Sequence, residues 1–134
     1  MTPRGIRNNN PFNIRIGASA WQGKIPIKQN TDTVFEQFID MEHGIRAGIS
    51  LLRTYIKARK LDTIRAIITR FAPSNENDTK RYIDVVAKRT GIKADERITF
   101  DKTYILKIAE AICFHENGGS YISNEQIHRA WEML

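Results

Sequence analysis

The chain has 134 residues, 41% of them hydrophobic and 27% charged, which is enough for one domain with a real core and too few for two. That balance excludes a disordered or fibrous chain, and no run of about 18 apolar residues offers a transmembrane helix. A formal net charge of +6 and a pI near 9.7 point to an anionic partner: nucleic acid, a membrane surface or an acidic polymer such as the bacterial cell wall.

Residues 1–38 differ in texture from the rest. "RGIRNNNPFNIRIG" is rich in asparagine and punctuated by Pro11 and Gly17, which predicts turn and loop. "FNIRIG", "KIPIK" and "TVFEQF" are short β-type runs, so a small antiparallel sheet or hairpin is expected over 12–38, with Pro26 confining its strand to an edge.

From Asp40 the period becomes helical. Met41, Ile45, Ile49, Leu52 and Ile56 form one stripe, predicting a long helix over 40–59 with Asp40 as its cap. A second helix is expected over 62–71, capped by Asp62 or Thr63 and stopped by Pro73. "PSNEND" is a polar loop. Asp78 or Thr79 caps a third helix that Gly91 closes, and Asp101 opens a fourth that runs to about 116. "SNEQ" at 123–126 has the spacing of a capping box and starts a last short helix. The expected fold class is α+β, mostly helical: one domain over 1–134, with a small N-terminal β-region in 1–38 and about five helices in 40–134.

The fourth helix carries a carboxylate in an unusual place. Ile105, Ala109 and Ile112 mark its apolar stripe, and four residues further on the stripe reaches Glu116. Apolar surroundings and the negative end of the helix dipole both disfavour the ionised form, so its pKa should rise. A carboxylic acid kept protonated near neutral pH is what glycosidic cleavage needs at the leaving oxygen. Gly118 and Gly119 then either end the helix or let a polymer approach the acid.

Other acidic residues compare poorly. Glu42 sits in a first helical turn with Arg46 four residues on, which is ordinary helix electrostatics. Glu76 reads as a solvated turn residue. Glu36, between Phe35 and Phe38 on an expected strand, is the choice for a second, assisting carboxylate, with Asp32 as its alternative. Metal chemistry fails on spacing: "HENGGSY" is not His-Glu-x-x-His, and His43, His115 and His128 form no ligand pattern. Cys113 is the sole cysteine, which rules out an intramolecular disulfide, and it stands two residues from His115 on a helix, where the two do not face one another. No cofactor is expected. A helix-turn-helix from 62–71 and 78–90 would need a shorter connection than the one including Pro73, so nucleic acid is not the expected partner.

"RGIRNNNPFNIR", "WQGK", "FEQFIDMEHGIRA", "TIRAIITRFAP" with the Asn-rich loop after it, and "HENGG" together resemble a family of phage virion or structural proteins with a lysozyme-like fold. Phe12 stands where glycine is usual in that family, and Phe71 where tryptophan is usual. The chemistry is similar to that of bacterial glucosaminidases and lytic transglycosylases. In those enzymes a helix ends in a catalytic glutamate followed by small residues, and an Asn-Asn stretch, a Trp-Gly and a small β-region come after it. Here the order differs, since "HENGG" lies at the opposite end of the chain from "NNPFNIR" and "WQG".

The resemblance therefore implies a circularly permuted lysozyme-like domain, with Glu116 as catalytic acid/base beside the N-terminal loop; neighbouring chain termini make such a permutation tolerable. It further implies cleavage of the peptidoglycan glycan strand by a muramidase or lytic transglycosylase route. The alternative is a non-catalytic virion structural or wall-binding protein that keeps the fold. Asn9, Asn10 and Asn13 would present amides to sugar hydroxyls and N-acetyl groups, unless they only brace a tight loop. Trp21 and Tyr121 would stack on pyranose faces or pack as half-buried aromatics. Arg4, Arg7 and Arg15 would suit wall carboxylates. The expected partners are peptidoglycan and other virion proteins. Without a visible signal peptide, a product of the bacterial cytoplasm would need another factor to carry it to the wall or into a particle.

Overall fold

Six α-helices carry the fold in the computed structural model, which describes residues 1–134: α1 (Arg4–Arg7), α2 (Met41–Arg53), α3 (Ile64–Phe71), α4 (Thr79–Thr90), α5 (Lys102–Asn117) and α6 (Asn124–Glu132). A π-helical turn, Thr54–Ala58, prolongs α2. Short polar side chains start the helices. Asp40, Thr63, Asp78 and Asp101 each accept the backbone N–H three residues on, and Ser123 and Gln126 form a reciprocal capping box. No helix is long and apolar enough to cross a membrane.

The apolar stripes meet in a single core. Ile45, Ile49, Leu52 and Ile56 from α2 and its π turn are buried, as are Ile105, Ile108, Ile112 of α5 and Ile127 of α6. Helix α2 packs on α5 and α6, while α4 lies between α3 and α5. Phe12, from the N-terminal segment, is fully buried and lies flat on Gly48 of α2. Any side chain at Gly48 would enter that ring, so the helix needs a bare backbone there to admit the N-terminal segment.

The N-terminal sheet expected from the sequence is absent, which corrects the α+β assignment. Half of the residues are helical and about 3% lie in strand-like bridges, with no sheet. Two isolated antiparallel bridges, Arg15 with Phe35 and Lys24 with Phe38, are the only backbone pairing between the β-type runs. Side chains do the work of a ladder instead. The Asn10 amide donates to the carbonyls of both Ile14 and Glu36, each at 2.9 Å, and its oxygen accepts from Ile14 N–H. Asp32 accepts from the backbone N–H of Val34 and Phe35. Asn9 and Asn13 both adopt φ of 52°, in the left-handed region that asparagine tolerates and a strand forbids. The segment is an irregular arm braced by amides, with one helical turn, α1, where only loop was expected.

Candidate active site between the chain ends

The arm's path decides where the two ends of the chain meet. Helix α1 contacts α5, and the Asn117 amide at the end of α5 donates to the Pro11 carbonyl at 2.9 Å and to the Cys113 carbonyl at 2.8 Å. Asn117 and Asn13 turn their side-chain oxygens onto Gly5. A Cβ there would stand 2.5 Å from the first and 2.7 Å from the second, so only glycine lets α1 reach this depth.

Glu116 lies at this junction, 103 positions along the chain from Asn13. The Asn13 amide donates to Glu116 Oε1 at 2.9 Å, and the Tyr82 hydroxyl donates to Oε2 at 2.8 Å. Burial pushes the Glu116 carboxyl above the usual carboxylate range, while these two bonds oppose the rise. Tyr82 is itself almost wholly buried, and burial, together with the adjacent Glu116 charge, pushes its phenol well up, so it stays a proton donor. Its ring is clamped between Phe71, met edge-on at 6.4 Å between centroids, and His115 at 3.8 Å. Burial and the Arg81 charge pull His115 down, favouring the neutral imidazole.

Glu116 opens onto a groove of about 300 Å³. One wall is the arm, from Phe12 to Arg15, with Phe35 beside it. Leu51 and Tyr55 of α2 and its π turn, together with Phe71, make the apolar surface. The far rim is the loop between α3 and α4, which brings Glu76 and Asn77. Arg15 and Glu76 form an ion pair at 3.4 Å, and both side chains are exposed.

The residues singled out in the sequence divide sharply. Glu116 and Asn13 touch each other and line the groove. Glu36 does not line it: its carboxylate is 0% exposed, paired with Lys24 Nζ at 3.0 Å and accepting from Gly17 N–H, because the arm folds over it. Asp32 is held by Arg4 at 2.7 Å and by the Asn8 amide, and that pairing pushes its pKa well below the usual carboxylate range. Asn10 is 0% exposed and spends its amide on backbone, and Asn9 donates to the Phe38 carbonyl. Trp21 packs half-buried against the core, and Tyr121 is 49% exposed; neither lines the groove. Arg4 is the partner of Asp32, and Arg7 lies in a shallow polar recess with it. Burial pushes the Cys113 thiol well up, against any role as a nucleophile.

Sequence reasoning missed Tyr82, Glu76 and Asn77. Tyr82 had a signal: it falls on the buried stripe of α4 with Ile83 and Val86, and a buried phenol needs a partner for its hydroxyl. Glu76 and Asn77 carried none, since a polar loop reads as solvated until its partner across a groove is known.

No protein-family model matches the sequence. The chain is 41% identical over 132 residues to Protein P5 of Pseudoalteromonas phage PM2, a match that spans 96% of this chain and 80% of that protein. With identity at that level along nearly its whole length, the chain belongs to the family of phage PM2 Protein P5.

Proposed function

We propose that this is a phage virion protein that cleaves the glycan strand of peptidoglycan, with Glu116 as its single acid/base. One observation carries the reading: a carboxyl biased toward its protonated form by burial faces a groove walled by the asparagine-bearing arm. The phage relative supports the virion setting, and the similarity of the Asn-rich and His-Glu-Asn-Gly-Gly stretches to glucosaminidases and lytic transglycosylases supports the substrate.

In this mechanism Glu116 gives its proton to the oxygen linking N-acetylmuramic acid to N-acetylglucosamine. The bond from the muramoyl C1 to that oxygen breaks, and positive charge develops at the ring. The 6-hydroxyl of the same muramoyl residue then bonds to C1, and Glu116 takes back that hydroxyl's proton. Asn13 and Tyr82 fix the carboxyl throughout and stabilise it while it is ionised. Hydrolysis would instead need a second carboxylate to activate water; Glu76, exposed though paired with Arg15 at 3.4 Å, is the other acidic residue lining the groove, whereas the side chains of Glu36 and Asp32 are buried in their pairs with Lys24 and Arg4.

Purified protein incubated with isolated cell walls tests this, with Glu116→Gln as the control. Soluble fragments from wild type alone, ending in anhydro-muramoyl groups, are the expected result. Failure of wild type to release any fragment would overturn the enzymatic reading. It would leave a structural or wall-binding virion protein, a role favoured by one feature of the same site: both oxygens of Glu116 are already engaged, Oε1 tying α5 to the N-terminal arm through Asn13 and Oε2 tying it to α4 through Tyr82.

A further inference from the structure

Six of the 21 lysines and arginines fall in one stretch of 18 residues. Residues 53–70 hold Arg53, Lys57, Arg59, Lys60, Arg65 and Arg70 against one carboxylate, Asp62, which is already paired with Arg97 at 2.7 Å. Arg59, Arg65 and Arg70 line an open trough of about 610 Å³, with Leu61 and the hydroxyl-bearing Thr63 and Thr69. Arg65 is committed to Asp95 at 2.7 Å, whereas Arg59 and Arg70 enter no ion pair.

The trough lies beside the groove. Leu51 and Tyr55 line the groove, and Arg59 caps the π turn that carries Tyr55, its backbone N–H bonded back to the Thr54 carbonyl beside it. Burial pushes the Tyr55 phenol up, while the charges of Arg70 and Arg59 draw it down, so both arginines lie within electrostatic reach of that groove-lining ring. A polymer seated over Glu116 and Tyr55 would thus carry its side groups toward two unpaired guanidinium groups. No aromatic side chain lines the trough, which gives bases nothing to stack on.

We propose that the trough of Arg59, Arg65 and Arg70 is an accessory binding site for the carboxylates on the peptide stems of the polymer held in the groove. This rests on the proposed glycan-strand substrate. Guanidinium forks match carboxylates in geometry, and Arg59 and Arg70 supply the free forks while Arg65, braced by Asp95, shapes the wall.

The test uses Arg59→Ala/Arg70→Ala, at two exposed positions outside the core. Binding is measured in the Glu116→Gln background with soluble glycan fragments bearing free stem carboxylates, with the same fragments after amidation of those carboxylates, and with duplex DNA. Free-carboxylate fragments should bind about tenfold more weakly to the double arginine variant, with a shallower salt dependence, and amidated fragments equally to both. In the active background KM for walls should rise with kcat unchanged.

Cleavage by wild type combined with no effect of the arginine changes would overturn this inference and leave the proposed activity standing. Carboxylate-dependent binding without cleavage by any form would support the trough and overturn the activity. Loss of DNA binding alone in the variant would overturn the proposal and assign the trough to nucleic acid.

Discussion

Tyr82→Phe isolates what holds Glu116 in its protonation balance. The substitution removes one oxygen from a ring that is otherwise retained by Phe71 and His115, so the packing survives. What is lost is the 2.8 Å bond to Glu116 Oε2. Such a bond contributes roughly 1.5–3 kcal/mol to a charged acceptor and about 0.5–1.5 kcal/mol to a neutral one. The difference, about 1–1.5 kcal/mol, falls on the ionised form alone and corresponds to a rise of about one in the Glu116 pKa at roughly 1.4 kcal/mol per unit. The sign is fixed by the site: burial raises the carboxyl and the bonds from Asn13 and Tyr82 restrain it, so removing one restraint lets it rise further. A carbon-13 titration of the carboxyl in both proteins reads this directly. If Glu116 is the acid, the alkaline limb of the pH–activity profile moves up with it, because the protonated form is the working one. A Glu116 pKa that stays put or falls in Tyr82→Phe would refute the reasoning.

The same carboxyl sets a pH dependence of stability. Its folded pKa is raised, so its contribution is fully present below the pKa of an unfolded glutamate and is lost as pH rises through the folded value. Glu116→Gln, uncharged at every pH, should therefore flatten the stability curve across that window and melt above wild type at neutral pH; calorimetry showing a lower melting temperature there would count against the buried-carboxyl argument. Glu36→Gln breaks the buried pair with Lys24, which is 18% exposed and also donates to the Gly17 and Ser19 carbonyls; a loss of about 3 kcal/mol in urea unfolding is expected. The position of its pH–activity profile should not move, and a displaced profile would return Glu36 to the chemistry. Gly5→Ala forces a methyl against Asn117 Oδ1, Asn13 Oδ1 and the Asn10 carbonyl, for a cost of about 1–3 kcal/mol and a fall in activity as Asn13 is displaced. Unfolding midpoints and wall clearing, measured together, check both effects.

The helices were legible because their start signals are local. Asp40, Thr63, Asp78, Asp101 and Ser123 each act within three residues of themselves, and the stripes they introduce repeat every three or four. Glu116 was legible for the same reason, being one more step on the stripe of α5. The N-terminal segment misled because alternation in "FNIRIG" and "TVFEQF" implies a ladder only if the backbone groups need one another. Here Asn10, Asn30 and Asp32 bond many of those groups, mostly within five residues of themselves, and leave only isolated backbone bridges between the runs. Glu36 was misplaced with the strand: the alternation that put it beside a cleft in fact turned it inward onto Lys24.

That misreading explains the division of labour among the asparagines. An arm without a ladder has many backbone groups to satisfy, and a short amide with both a donor and an acceptor can serve two segments at once. Asn10 does this between Ile14 and Glu36, Asn9 reaches Phe38, and Asn8 reaches Asp32 and Gln37. Three of the four asparagines between 8 and 13 are therefore consumed in building the wall. Asn13, carried past Pro11 into the left-handed region, is the one whose amide meets the carboxylate that opens onto the groove. A buried carboxyl that ionises reluctantly is a local cost to the fold, and the arm offsets it with the buried pair at Glu36, the fork at Asp32 and Phe12 seated on Gly48. On this argument the asparagine-rich motif and the glutamate on the last turn of α5 are one device: the first exists in this form because the second must be kept half-dry at the meeting of the chain ends.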